Sequence, residues 1–261
     1  MSSIRFSQTG RSVAQRAAFL SACLCGLLGC VLCFLASLVS LCLPASVRER
    51  GLRRVVGRLC RGFVAYLLWS GVAVIDFGTL PELARRSGVI VAMNHPTFID
   101  ALLALSRLPP AFCIAKESLF CNPLIAPIAR GAGYESNVDS TILIRNCVDR
   151  LRRGEVLLVF PEGTRTTVPP VGELKRGFVF MADGASVPVV AVTVEAFNGS
   201  FLRKGSPLFS FPVSLPLRYR FVVGPDFVRA PDESLNAFRD RIESHFRLSL
   251  SSHDLPADSP A

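Results

Sequence analysis

The sequence has no charged residue between Ala17 and Val47, a stretch of 31 mostly apolar positions in a chain of 261 residues. A helix of about 20 such residues spans a bilayer. The alternative, a cleavable signal peptide, has a shorter apolar segment of about 7 to 15 residues. The missing charge therefore predicts a transmembrane helix at residues 17–47, preceded by a polar segment at residues 1–16.

The rest of the chain lacks an excess of either charge. The formal net charge is +9, but residues 1–61 hold nine Arg and one Glu, whereas residues 62–261 hold 20 basic and 19 acidic side chains. A nearly neutral body offers no basic surface for a polyanion, so we expect no binding of nucleic acid. Because more arginines follow the apolar run than precede it, we expect a single-pass or monotopic protein of the cytoplasmic (inner) membrane that faces the cytoplasm.

Residues 48–70 have the pattern of a basic amphipathic helix. Leu52, Val56 and Leu59 fall on one helical face, and arginines occupy most of the other. Such a helix suits an anionic membrane surface, where each Arg contributes about 1 kcal/mol, so membrane lipids are the expected partner. The alternative is an ordinary helix packed on the domain. One domain at residues 71–248 and a disordered tail at 249–261 complete the predicted organisation.

The cysteines show no disulfide or metal framework. Five of the nine lie in the apolar run and the others are scattered, which indicates a reducing compartment. Cys30 and Cys33 have the spacing of a metal knuckle, but no second pair or nearby histidine completes a site, so we expect no metal. The pentapeptide Gly-x-Ser-x-Gly is also missing, which argues against a lipid hydrolase with a nucleophile elbow.

Short apolar runs alternate with helical patterns after residue 71, which predicts an α/β domain whose sheet contains parallel strands. The predicted strands are residues 88–93, 111–115, 155–160, 187–194 and 218–223. The predicted helices are residues 96–107, 139–154, 173–182 and 231–248.

Two polar clusters begin where a predicted buried strand ends. Asn94, His95 and Asp100 follow the first predicted strand, and "PEGTR" (161–165) follows the third. Ligands of open α/β sheets bind beyond the carboxyl ends of the strands. If these two strands are parallel neighbours, both clusters face one cleft.

His95 and Asp100 are the residue types of a base and of the carboxylate that orients it. Residues five apart on a straight helix point about 140° apart, so a continuous helix does not pair them. Pro96 favours the first helical position, which leaves His95 outside the helix and able to turn its ring toward Asp100. A carboxylate on one ring nitrogen fixes the tautomer and leaves the other nitrogen as a proton acceptor. The alternative is a partly buried histidine that only caps a helix.

The stretch "FPEGTR" (160–165) favours the binding of an anion. Gly163 lets the backbone approach a ligand, and Arg165 presents a planar fork suited to phosphate. Glu162 either orients Arg165 or accepts a hydrogen bond from a substrate hydroxyl. The alternative is a tight polar turn held by an internal Glu162–Arg165 pair.

The stretches "NHPTFID" (94–100) and "FPEGTR" (160–165) lie about sixty residues apart. In sequence and spacing they resemble the two hallmark motifs of the glycerophosphate and lysophospholipid acyltransferase superfamily, which includes the 1-acyl-glycerol-3-phosphate acyltransferases. The resemblance covers about residues 85–200. It implies an α/β, glycerol-3-phosphate acyltransferase-like fold, in which helices flank a mixed central sheet and a membrane helix precedes it.

The resemblance also implies an activity and roles for the site residues. A fatty acyl group passes from acyl-CoA or acyl-carrier protein, as co-substrate, to the hydroxyl of a lysophospholipid or 1-acyl-glycerol-3-phosphate, with no cofactor. His95 is the general base and Asp100 orients it, and no acyl-enzyme forms. The implied substrate-binding residues are Glu162, Gly163, Thr164, Arg165 and Lys175, the last from a Lys-x-Gly element. Lys116 either borders the acyl groove, dips into the membrane or lies in a loop packed on the core.

The sequence departs from the family pattern in two places. Ala191 stands where a second proline is common, and Asn137 stands near an arginine that is usual in members that bind glycerol phosphate. The lost cation weakens the expectation of a lysophosphatidic acid acceptor. The alternatives are an acyltransferase of a specialised lipid pathway (aryl polyene-like or ornithine lipid) and a non-catalytic membrane protein that binds lipid.

Overall fold

One mixed sheet forms the centre of the protein. The computed structural model describes residues 8–108, 110–197 and 215–251. Its strands are β1 (Ala73–Asp76), β2 (Val89–Met93), β3 (Phe112–Ala115), β4 (Glu135–Ser136), β5 (Val156–Val159), β6 (Val189–Ala196) and β7 (Leu217–Phe227). The strand order is β1-β7-β6-β2-β5-β3-β4. Neighbouring strands are parallel except for the antiparallel pair β6 and β7, which confirms the predicted mixed sheet.

Helices precede the sheet and cover it. They are α1 (Gln8–Val39), α2 (Ala45–Trp69), α3 (Asp100–Arg107), α4 (Glu117–Phe120), α5 (Ala126–Gly131), α6 (Ser140–Arg152), α7 (Gly177–Ala185) and α8 (Leu235–Ser251). Short 3-10 helices lie at Ser40–Cys42 and Leu80–Arg85. Most of the predicted tail at residues 249–261 lies outside the described residues, and α8 extends to Ser251.

The alternation of side chains along the buried strands divides the core into two layers. On β2, Val89, Val91 and Met93 belong to the layer that contains α2 and α3. Ile90 and Ala92 belong to the layer that contains α6, α7 and α8. Because helices cover both faces, this strand is a continuous apolar run, as is typical of parallel sheets. The predicted arrangement of helices flanking the sheet is confirmed.

All five predicted strands are present, whereas the sequence pattern does not predict the edge strands β1 and β4. β4 has two residues, too few for a recognisable alternation. β1 is as long as β3 and β5, but Ala73 is its one buried residue. The predicted start of a helix at Pro96 is wrong, because α3 begins at Asp100. The Asp100 carboxylate accepts a hydrogen bond from the backbone N–H of Thr97 at 2.7 Å. This local contact between side chain and backbone replaces the first helical turn that we expected.

Helix α1 packs on the protein through one face and exposes apolar side chains on the other. Phe19 and Cys33 are buried, whereas Leu24 and Leu28 are 67% and 58% exposed. The segment Gln15–Cys42 is long and apolar enough to cross a membrane, judged by length and composition. The predicted apolar N-terminal helix is therefore present.

Helix α2 packs on the domain through its apolar face. Leu52, Val56 and Val64 are buried, whereas Arg50 and Arg54 are exposed. This packing leaves part of the basic face of α2 on the surface, and its contact with a membrane stays a prediction.

A buried ion cluster attaches α2 to the domain. Arg150 of α6 contacts Glu49 of α2 at 2.6 Å, Glu135 at 3.1 Å and Glu155 at 3.3 Å. Arg53 of α2 makes a second ion pair with Glu155 at 2.7 Å. The arginine side chains are only 9% and 3% exposed. Because a buried charge without its partner is costly, the position of α2 depends on this cluster.

We expect Arg150→Met to lower the free energy of unfolding by about 3–5 kcal/mol, because three acidic side chains lose the cation they share. Chemical denaturation of the detergent-solubilised protein measures the change. Arg145→Met, at an exposed position of the same helix, is the matched control and should stay within about 0.5 kcal/mol of the unmodified protein. Equal stability of the two variants would contradict the role of the cluster.

Candidate active site

The carboxyl ends of β2 and β5 bring the two polar clusters together. The strands pair in parallel, with Ala92 opposite Val159, which confirms that they are neighbours. Beyond the strand ends, the backbone N–H of His95 donates to Glu162 Oε1 at 3.0 Å, and the N–H of Thr166 donates to the His95 carbonyl at 2.7 Å. The segments that carry the two motifs are therefore in direct contact.

Asn94 holds the end of β2 in place. Its side-chain amide donates to the carbonyl of Val194 on β6 at 2.9 Å, and its Oδ1 accepts from the Val194 N–H at 2.6 Å. Both hydrogen bonds are buried and continue the pairing of β2 with β6 by one residue. These contacts thus fix the backbone position from which His95, the next residue, extends.

His95 and Asp100 form the predicted pair. His95 Nδ1 lies 3.0 Å from Asp100 Oδ2. The histidine side chain is 19% exposed and the aspartate side chain is fully buried. The imidazole stacks on the Phe160 ring, with 4.2 Å between the ring centroids. Its Nε2 makes no hydrogen bond to the part of the chain that the structure describes, which leaves this nitrogen available to a substrate.

Hydrogen-bond donors around Asp100 oppose the effect of its burial. Desolvation raises the pKa of Asp100 above its ordinary value, while the contacts with His95 and Thr97 oppose that shift. Thr97 N donates to Oδ2 at 2.7 Å, and the Thr97 hydroxyl donates to Oδ1. With these two donors and His95 Nδ1 directed at it, the group acts as an acceptor. Nδ1 of His95 then carries the proton, and Nε2 has the lone pair.

Glu162 points inward, below the turn that follows β5. Its carboxylate accepts from the N–H of His95 at 3.0 Å, from the hydroxyl of Thr166 at 2.7 Å and from the N–H of Gly172 at 2.9 Å. The residue is only 5% exposed. A buried carboxylate with three donors stabilises the geometry of the loops around it, so the structure gives Glu162 a role in holding the backbone of His95.

The turn after β5 places Gly163 against Lys175. Gly163 has φ +67°, in the left-handed region that favours glycine, and a Cβ there would lie 2.8 Å from Cε and Nζ of Lys175. The backbone N–H of Lys175 donates to the Pro161 carbonyl at 2.9 Å. Thr164 is exposed and Arg165 is half-buried. The turn thus packs against the exposed side chain of Lys175.

Lys116 follows the carboxyl end of β3, the strand beside β5. Its side chain is exposed and makes no hydrogen bond or ion pair within the described part of the chain. The structure therefore places Lys116 at the same end of the sheet as His95, without a contact that joins the two.

Asn137, the residue near the expected family arginine, has a structural contact. Its Oδ1 accepts a hydrogen bond from the backbone N–H of Glu117 at 3.0 Å, at the start of α4. The amide thus connects the segment after β4 to the segment after β3. This contact gives a physical reason for an asparagine here.

Two side chains that the sequence analysis overlooked contact the pair. Thr97 binds Asp100 as described, and its Oγ1 lies 3.1 Å from the hydroxyl of Tyr219 on β7. The spacing of Thr97 and Asp100, three residues apart, is that of a capping box and was a usable signal. Tyr219 lies 119 positions beyond Asp100 in the sequence, where no local pattern connects it with the motif.

The region matched by the family comparison includes the whole of this site except Tyr219. Residues 75–195 match the family model described as Acyltransferase. A protein of Neisseria gonorrhoeae named 1-acyl-sn-glycerol-3-phosphate acyltransferase is 26% identical over 197 residues, which are 68% of this chain and 76% of that protein. A protein of Bacillus subtilis (strain 168) with the same name is 30% identical over 141 residues, which are 49% of this chain and 64% of that protein.

The fold matches that of a solved structure. The 1-acyl-sn-glycerophosphate (LPA) acyltransferase PlsC from Thermotoga maritima aligns with a TM-score of 0.72 and 18% identity, over 95% of this chain and all of that chain. This match concerns the fold. It confirms the predicted fold class, and the family match confirms the resemblance seen in the two motifs.

We expect Glu162→Ala to loosen the segment around His95, because the partly buried N–H groups of His95 and Gly172 lose their acceptor. An unsatisfied buried donor costs about 1–3 kcal/mol. Hydrogen exchange followed by mass spectrometry should show faster exchange in peptides that contain these two residues. The matched control is Glu173→Ala, which removes an exposed carboxylate. Unchanged exchange in the Glu162 variant would mean that this carboxylate does not hold the loop.

Proposed function

We propose that this chain, whose residues 75–195 match the family model described as Acyltransferase, is a membrane-bound O-acyltransferase. It transfers a fatty acyl group from the thioester of acyl-CoA or acyl-carrier protein to the hydroxyl of a lysophospholipid. The observation that carries this proposal is the imidazole of His95, held by the buried Asp100 through Nδ1 and open to a substrate at Nε2.

In the proposed reaction, the acceptor hydroxyl donates a hydrogen bond to His95 Nε2. As the oxygen attacks the thioester carbonyl, its proton moves to Nε2, and Asp100 stabilises the imidazolium that forms. The tetrahedral intermediate collapses with cleavage of the carbon–sulfur bond. The imidazolium returns the proton to the leaving thiolate, so the products are the ester and the free thiol. His95 is regenerated and the protein forms no covalent intermediate.

The cations around the turn after β5 would hold the acceptor headgroup. Arg165 provides a guanidinium fork that suits a phosphate, and Lys175 adds a second cation beside Gly163. Gly163 and the exposed Thr164 allow the headgroup to approach the backbone. Lys116 is a further cation at this end of the sheet. We assign Glu162 to positioning His95, and its contact with a substrate stays a prediction.

The names of the relatives favour 1-acyl-glycerol-3-phosphate as the acceptor within this proposal. Asn137 stands near the position of an arginine that is usual in family members that bind glycerol phosphate, and its amide makes a structural contact instead. The usual set of phosphate ligands is therefore incomplete. An acceptor of a specialised lipid pathway therefore stays an alternative. Assays with phosphate-bearing and phosphate-free lyso-acceptors separate the two.

We place the protein at the cytoplasmic membrane, with the domain in the cytoplasm. The exposed apolar face of α1 supports the anchor, and the arginines at residues 48–61 support the orientation. Lipid acceptors partition into the bilayer, so an anchored site meets them at high local concentration.

We expect His95→Ala to reduce acyl transfer by roughly 100-fold or more, in line with the loss of a general base. The assay uses the purified full chain in phospholipid vesicles, with labelled acyl-CoA or acyl-carrier protein and a lysophospholipid. The matched control, His245→Ala, removes a histidine of α8 that packs against Phe227, and it should retain activity. Full activity of the His95 variant would refute the mechanism, and an inactive unmodified chain that still binds lipid would support a non-catalytic lipid-binding protein.

We expect Arg165→Ala to raise the KM for a phosphate-bearing acceptor by about 10-fold or more while kcat changes little, because a charge-assisted contact with the headgroup is lost in ground and transition states alike. The KM for the thioester donor should not change. Arg152→Ala is the matched control, since this exposed arginine lies at the far end of α6. An unchanged acceptor KM would remove Arg165 from the binding site.

A further inference from the structure

We propose that Tyr219 is a positioning residue for the His95–Asp100 pair and acts through Thr97. The inference rests on the proposed function, since it concerns the geometry of the same base. It adds a residue of β7, outside the segment 75–195 that the family model matches.

The hydrogen bonds of this group have a single consistent direction. The Asp100 carboxylate can only accept, so the one hydroxyl proton of Thr97 is directed at Asp100 Oδ1. The Thr97 oxygen then has lone pairs left, and the Tyr219 hydroxyl, 3.1 Å away, is the donor. The hydrogen bonds therefore form a series. Tyr219 donates to Thr97, Thr97 donates to Asp100 Oδ1, and His95 Nδ1 donates to Asp100 Oδ2.

Burial of all three groups strengthens this series of hydrogen bonds. Thr97 and Asp100 are 0% exposed and Tyr219 is 3% exposed. Burial and the nearby Asp100 raise the pKa of Tyr219 well above its ordinary value, so the phenol stays protonated and remains a donor. In a dry site, hydrogen bonds in series polarise and strengthen one another. Tyr219 thereby strengthens the Thr97 contact that fixes the carboxylate plane.

The position of Tyr219 in the sheet explains how it reaches the site. On β7, the residue lies opposite Ile75 of β1 and Ala196 of β6. These pairings fix its backbone from both sides, and its side chain enters the core layer that contains Met93 and Leu103. A strand that is paired on both sides thus carries the phenol that contacts Thr97.

We expect Tyr219→Phe to lower kcat about 10-fold, the equivalent of one buried hydrogen bond, while the KM values of acceptor and donor change little. The assay uses the purified full chain in vesicles with a labelled acyl thioester and a lysophospholipid. Thr97→Val should lower kcat at least as much, and Thr97→Ser, which keeps the hydroxyl, should restore most of the activity. The matched control is Tyr66→Phe, which removes a phenol that donates to Ser21 at 2.8 Å between α2 and α1.

A double-mutant cycle separates positioning from a merely structural role. If the two side chains act in series, Tyr219→Phe should cause little further loss in a protein that already carries Thr97→Val. Additive losses in kcat, or a Tyr219→Phe protein with the kcat of the unmodified chain, would overturn the inference. Either result leaves the proposed function intact provided that His95→Ala is inactive, whereas full activity of His95→Ala would refute the proposed function itself.

Discussion

A buried carboxylate that is satisfied by hydrogen-bond donors is the interaction on which the rest of the site depends. Asp100 has no exposure to solvent, and a charge in that position persists only because donors surround it. The same contacts fix the segment between β2 and α3. They also fix which nitrogen of His95 carries a proton. The same hydrogen bonds therefore determine both the local fold and the proposed chemistry.

The sheet brings together two segments that are far apart in the sequence. The parallel pairing of β2 and β5 brings both motifs to one edge, Asn94 extends the pairing of β2 to β6, and Glu162 connects the turn after β5 to the backbone of His95. Each contact restricts a different part of the loop. Since the contacts come from three strands, the histidine is placed by the fold as a whole.

The sequence predicts the fold class, the five inner strands and the pairing of His95 with Asp100, because apolar periodicity and a compact motif carry that information. It predicts the pairing for a partly wrong reason. Pro96 does not start a helix, and the carboxylate of Asp100 itself organises the turn. The inward position of Glu162 and the approach of Tyr219 could not be read from the sequence, since both depend on contacts between segments far apart in the chain. The edge strand β4 escapes prediction because two residues are too few to show a repeating pattern.

The central claim is that Asp100 holds His95 as the tautomer protonated at Nδ1, with Nε2 as the base. Nitrogen-15 NMR of the chain labelled in its three histidines, with His95→Ala to assign the signals, tests this most directly at a mildly alkaline pH. The account predicts a proton on Nδ1 of His95 and a bare Nε2. A proton on Nε2 instead, with Nδ1 bare, would contradict it.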